Sequence, residues 1–142
     1  MGRRKKSREI ALQVLYQIDM SKNEVEESFN LFWHNFSPSD ELKEYSEKVV
    51  KGVSQHRDEI DTLIEKHSEH WRLERMTIVD RNVLRMAIFE LMHCPDVPTK
   101  VILNEAVELG KKYGSEKSSP FINGILDKVS HQLNRLPSPD ES

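Results

Sequence analysis

The chain has 142 residues, with 21 Lys+Arg against 24 Asp+Glu and a net charge of −3. A general polyanion binder is excluded, so any nucleic-acid footprint must be a local patch. The single cysteine, Cys94, excludes an internal disulfide and fits a reducing compartment. No apolar run approaches the roughly 18 residues that span a bilayer, so cytoplasmic localisation without membrane contact is expected.

Helical periodicity recurs along the chain and strand signals are nearly absent, so an all-α fold of about seven helices is expected. They are placed near 7–20, 24–35, 40–54, 57–70, 77–93, 99–113 and 119–135. The first helix follows a basic run, Arg3, Arg4, Lys5, Lys6 and Arg8. Ala11, Val14, Leu15 and Ile18 recur behind it at i, i+3, i+4, i+7, and Ser7 is read as the N-cap. The cations crowd the positive end of a helix dipole, where acidic residues are favoured. The run lacks a following small-residue cleavage site, so it does not read as a secretory signal. It is either a solubilising tail or a place where phosphate arrives, with free backbone N–H groups adding to the same field.

The joints SKN, SPSD, CPDVP and GSEKSS separate the later helices. His67 and His70 lie three apart in the fourth helix, but no third ligand joins them, so no metal site is read there. IVDRNVLRMAIFELM (78–92) is apolar on nearly all sides, apart from Asp80, Arg81, Arg85 and Glu90, and should be a central buried pillar. Thr77 with Asp80 resembles a capping box. Cys94 reads as a small filler at the pillar's end. In the sixth helix Ile102, Leu103, Ala106, Val107, Leu109 and Tyr113 form a broad apolar arc, and Gly114 is placed as a left-handed C-terminal residue. Glu105 and Glu108 share a face but read as solvated surface. The seventh helix buries Ile122, Ile125, Leu126, Val129 and Leu133. Phe121, Gly124 and Lys128 fall together on one flank, within about 60° at 100° per residue. A ring, a bare backbone and a cation suit a single-stranded base; a plain hydrophobic contact and a close helix crossing fit the same residues. An interior helical glycine costs roughly 1 kcal/mol against alanine, so Gly124 needs a reason. The boundaries expected are a bundle over 1–70, a second over 71–136 around the pillar, and a disordered tail over 137–142. No glycine-rich phosphate loop, nucleophile elbow or HExxH is present, so no enzyme is expected.

RRKKSREIALQVLYQID, DRNVLRMAIFEL, VPTKVILNEAVELGKKYG and FINGILDKV occur in order and with natural spacing. Together they resemble the NusB family of bacterial transcription antitermination factors, most specifically in the pairing of NEAVELGKKYG with FINGILDK. The resemblance implies two packed three-helix-type bundles without catalysis; no cofactor or metal is expected. It implies binding of boxA RNA in ribosomal RNA operon leaders, together with the small-subunit ribosomal protein NusE, in an RNA polymerase antitermination complex. The family's RNA-contacting stretch falls on Arg3, Arg4, Lys5, Lys6 and Arg8. Its stacking phenylalanine falls on Phe121, with Asn123, Gly124 and Lys128 beside it. The NusE-facing side draws on Tyr16 and Asp80. Several relatives carry a basic residue where this chain has Pro120, which leaves Lys117 or Lys128 to supply that phosphate contact. A similar module occurs fused to ribosomal RNA cytosine methyltransferases; the chain ends at 142, so a stand-alone factor is expected. Two other readings stay open: an adaptor whose RNA affinity is incidental, and an RNA-binding module related to those fused ones. A homodimer and a monomer are both compatible with the apolar inventory.

Overall fold

The computed structural model describes residues 2–35, 39–69 and 71–135. Among the described residues seven α-helices carry the fold: α1 (Gly2–Ser21), α2 (Val25–Asn35), α3 (Asp40–Gln55), α4 (Arg57–His67), α5 (Ile78–His93), α6 (Thr99–Tyr113) and α7 (Ser118–Gln132). A 3-10 turn spans Leu73–Arg75, and the described residues contain no strand. The all-α expectation therefore holds. None of the helices is long and apolar enough to cross a membrane.

The chain divides into two units, Met1–Gln55 and His56–Ser142. In the first, α1, α2 and α3 pack mutually around Ala11, Val14, Leu15, Phe29, Val49 and Val50. Ile18, expected in this core, is half-buried. Phe29 stacks on Trp33, with ring centroids 5.5 Å apart, and the Trp33 indole N–H donates to Glu47 Oε2 at 3.1 Å. An aromatic with a polar tip thus finds both an apolar and a polar partner.

α1 begins five residues before the expected cap. Ser7 is no N-cap: it lies inside the helix, buried, with its hydroxyl 2.9 Å from the Arg3 carbonyl and 3.3 Å from the Leu42 carbonyl on α3. Arginine and lysine are good helix formers, and their unfavourable position against the dipole costs only tenths of a kcal/mol at an exposed site.

In the second unit α5 is the pillar, with every residue from Asn82 to Leu91 buried. It packs against α4, α6 and α7. Thr77 caps it, its hydroxyl accepting from the Asp80 N–H at 3.0 Å, as the spacing predicts. The expected boundary at residue 70 gives way to one after Gln55, because the buried stripe Ile60, Leu63 and Ile64 of α4 faces α5 and α7. An apolar stripe shows that a helix is covered, and many neighbours can cover it.

Helix ends differ where capping overrides periodicity. α4 stops at His67, and Glu69 then adopts φ 59°. α7 stops at Gln132, three residues short of expectation, because Asn134 takes φ 57° and the Arg135 N–H returns to the Ser130 carbonyl at 2.7 Å. That six-to-one bond with a left-handed asparagine is a Schellman ending; Leu133 is left half-buried at the cap. Gly114 is not left-handed: φ is −101° and ψ −155°, ordinary extended backbone. Glycine is required there by proximity, since a Cβ would lie 2.3 Å from Ser118 Oγ and 2.8 Å from the Gly110 carbonyl oxygen. Tyr113, expected in the apolar arc of α6, is instead 37% exposed with the Lys112 ammonium 5.4 Å from its ring centroid. Cys94 is buried at the end of α5. The tail over 137–142 lies outside the described residues.

Candidate nucleic-acid interface

Arg3, Arg4, Lys5 and Lys6 occupy the first two turns of α1 and are all exposed. The side chains do not form a bare cationic tail. Arg3 pairs with Glu41 of α3. The Arg4 guanidinium lies over the Tyr45 ring at 4.6 Å from its centroid, and the Arg8 guanidinium and Lys48 ammonium each lie 5.9 Å from it. Lys6 stands 3.9 Å from Glu9. An open groove of about 310 Å³ runs between Arg3, Arg4, Ser7, Glu41, Glu44, Tyr45 and Lys48. Arg8 is 4% exposed, so its charge shapes the field from below while Arg3 to Lys6 carry the reachable donors. Tyr45 places an aromatic among these cations. Sequence reasoning missed it, because its arginine partners, Arg4 and Arg8, lie about forty positions away in another helix.

The second unit presents the other group. Phe121, in the first turn of α7, is half-buried, while Asn123, Gly124 and Lys128 are exposed. Among the described residues, and apart from its chain neighbours and its own helix backbone, no atom lies within 4 Å of where a Gly124 Cβ would stand. The close helix crossing that could have explained this glycine is therefore absent; its backbone faces open space. Pro120 sits in the first turn of α7, where the missing N–H leaves no helical bond unmade. Lys117, at the N-terminal cap position, is exposed. Lys128 Nζ lies 3.3 Å from Glu69 Oε1, both side chains exposed. Such a surface pair is worth about 0–1 kcal/mol and yields readily to a phosphate.

The two residues assigned to partner contact differ in exposure. Tyr16 is 42% exposed on α1, and Met20 one turn later is 60% exposed. Asp80 is 8% exposed, in the first turn of α5, and its Oδ1 has no hydrogen-bond partner among the described residues. A carboxylate suits a helix start, but a buried acceptor without a donor costs about 1–3 kcal/mol. Of the two histidines considered together in the sequence, His67 Nε2 contacts Gln132 Oε1 and His70 lies outside the described residues.

Fold and surface chemistry together define an all-helical protein whose exposed functional groups are cations and aromatics on helix faces. The chain belongs to the NusB family, whose model matches residues 5–131. It is 53% identical over 133 residues to the transcription antitermination protein NusB of Anaeromyxobacter dehalogenans, covering 93% of each chain. Among solved structures, T. maritima NusB is similar at TM-score 0.85 and 33% identity, with 91% of each chain covered. A crystal structure of the antitermination factors NusB and NusE in complex with double-stranded RNA contains a chain similar at TM-score 0.83 and 33% identity. That match covers 93% of this chain and 98% of that one.

Proposed function

We propose that this chain is a non-catalytic, cytoplasmic antitermination factor that holds boxA RNA together with NusE and acts on the RNA polymerase complex. The observation that carries the reading is the correspondence, over nearly the whole chain, with a protein crystallised with NusE and double-stranded RNA. The chemistry of both surface groups agrees with it. Arg3, Arg4, Lys5 and Lys6 position phosphates, which fixes register without reading sequence. Phe121, with the backbone at Asn123 and Gly124, receives unstacked bases, the mode by which single-stranded RNA is read. Tyr16 and Asp80 contribute to the NusE-facing side, Tyr16 through exposed ring surface and Asp80 at the start of α5.

The test is a titration of boxA and scrambled RNA, with and without NusE. Preferential binding of boxA, strengthened by NusE, is expected; absence of RNA affinity in both conditions would establish an adaptor for NusE alone. Replacing Arg4 and Lys5 by alanine leaves the core untouched, since both side chains are exposed. The double variant is expected to bind boxA more weakly, with a salt dependence shallower by roughly 0.7 for each lost contact on single strands. An unchanged slope removes the start of α1 from the interface.

A further inference from the structure

At one edge of the second unit three potential ligands converge that the proposed RNA and NusE contacts do not use. His56 immediately precedes α4, Glu59 lies in its first turn, and His93 is the last residue of α5. One ligand atom from each lies within 4.8 Å of the other two. The imidazoles of His56 and His93 stack with centroids 4.2 Å apart and planes 27° from parallel. Beneath them Phe89, 5% exposed, holds its ring 5.4 Å from His93 and gives the cluster an apolar floor. Glu59 and His93 are exposed and His56 is half-buried. Among the described residues Glu59 has no ion-pair partner.

We propose that His56, Glu59 and His93 form a binding site for a first-row divalent cation of the Zn2+ type. Two imidazoles and one carboxylate are a donor set that suits such ions, with the remaining positions left to water or an outside ligand. With metal–nitrogen distances of about 2.0–2.1 Å, tetrahedral geometry asks for ligand atoms about 3.4 Å apart. Binding therefore requires the exposed Glu59 and His93 side chains to rotate and the His56–His93 stack to open, so that the in-plane lone pairs converge. Glu59 offsets part of the ion's charge, while the negative end of the α5 dipole at His93 is opposed by the positive end of α4 at His56. The bound ion would clip the start of α4 to the end of α5.

The experiment uses the untagged full chain, titrated with Zn2+ by calorimetry and with Co2+ by visible absorption, whose ligand-field bands report low coordination by nitrogen and oxygen. One ion per chain is expected, and Zn2+ should raise the melting temperature. His93→Ala alters an exposed side chain and should retain the fold. It removes a direct ligand, so affinity should fall by more than the about 10–100-fold that loss of an outer-shell partner costs, and the Zn2+-dependent rise in melting temperature should disappear. Glu59→Gln should weaken binding with the fold unchanged, while His131→Ala, a histidine outside the cluster, should bind as the parent does. No uptake at millimolar Zn2+, or equal affinity in the parent and in His93→Ala, would overturn the assignment. These readouts involve neither RNA nor NusE, so they stand apart from the antitermination reading.

Discussion

Asp61→Ala is expected to destabilise the second unit by about 3–5 kcal/mol, the cost of breaking a buried ion pair by removing one partner. Arg85 lies in the middle of the pillar helix, its side chain 4% exposed. Its Nε and Nη2 donate to Asp61 Oδ1 and Oδ2 at 2.9 and 3.2 Å, and its Nη1 donates to Asn82 Oδ1 at 3.1 Å. This bidentate arrangement fixes α4 against α5. Taking away the carboxylate leaves a guanidinium in the core with its principal counter-charge gone. The reverse change, Arg85→Met, should cost less, because Asp61 is 21% exposed and keeps Arg57 at 3.6 Å. Replacing both, Arg85→Met with Asp61→Leu, should recover most of the loss, since an apolar pair of similar volume avoids the desolvation of two charges. Urea unfolding of the four proteins compares the losses. If Arg85→Met costs as much as Asp61→Ala, the asymmetry of burial is not what sets the energy. If the double variant is no better than the singles, the site tolerates no apolar packing.

That pair also shows which parts of the architecture could be read before folding. The pillar was legible because apolar side chains on every side of a helix have one physical explanation, burial on every side. The acidic partner of Arg85 was not, since residue 61 lies in another helix and its own neighbours mark it as surface. Arg135 is a similar case. Its guanidinium satisfies carbonyls at the end of α5, donating to Leu91 at 2.9 Å and Cys94 at 2.8 Å, across more than forty residues. Helix existence follows from local periodicity, whereas charge pairing, unit boundaries and the Tyr45 platform depend on distant neighbours. The start of α1 fell between these cases. Ser7 has the chemistry of a cap, but a serine can equally back-bond within a helix, and the good helix formers before it extended α1 to Gly2. In the groups proposed to meet RNA the residue types were legible as chemistry. What the folded chain adds is their accessibility, buried for Arg8, half-buried for Phe121 and fully open at Gly124.

The open position of Gly124 leads to an expected result in which stability and RNA affinity move in opposite directions. Gly124→Ala should stabilise the protein by up to about 1 kcal/mol, because a helix interior prefers alanine and the new methyl meets nothing within 4 Å. If RNA approaches that backbone closely, the same methyl stands in its path and boxA affinity should fall. Phe121→Ala should weaken boxA binding by about 1–3 kcal/mol through lost base stacking. Some stability will go with it, since the ring is half-buried. Phe121→Leu separates the two contributions: an apolar side chain remains against the helix, but the π face that a base stacks on is gone. Thermal melts paired with RNA titrations on the three variants decide the matter. Loss of affinity in Phe121→Leu with stability largely retained assigns the ring to RNA. Affinity retained by the folded fraction of Phe121→Ala makes it a packing residue and sends the search for the stacking platform to Tyr45. A Gly124→Ala protein that is more stable and binds boxA unchanged would mean that RNA passes this flank at a distance. The glycine would then have no structural role in either unit's packing or in recognition.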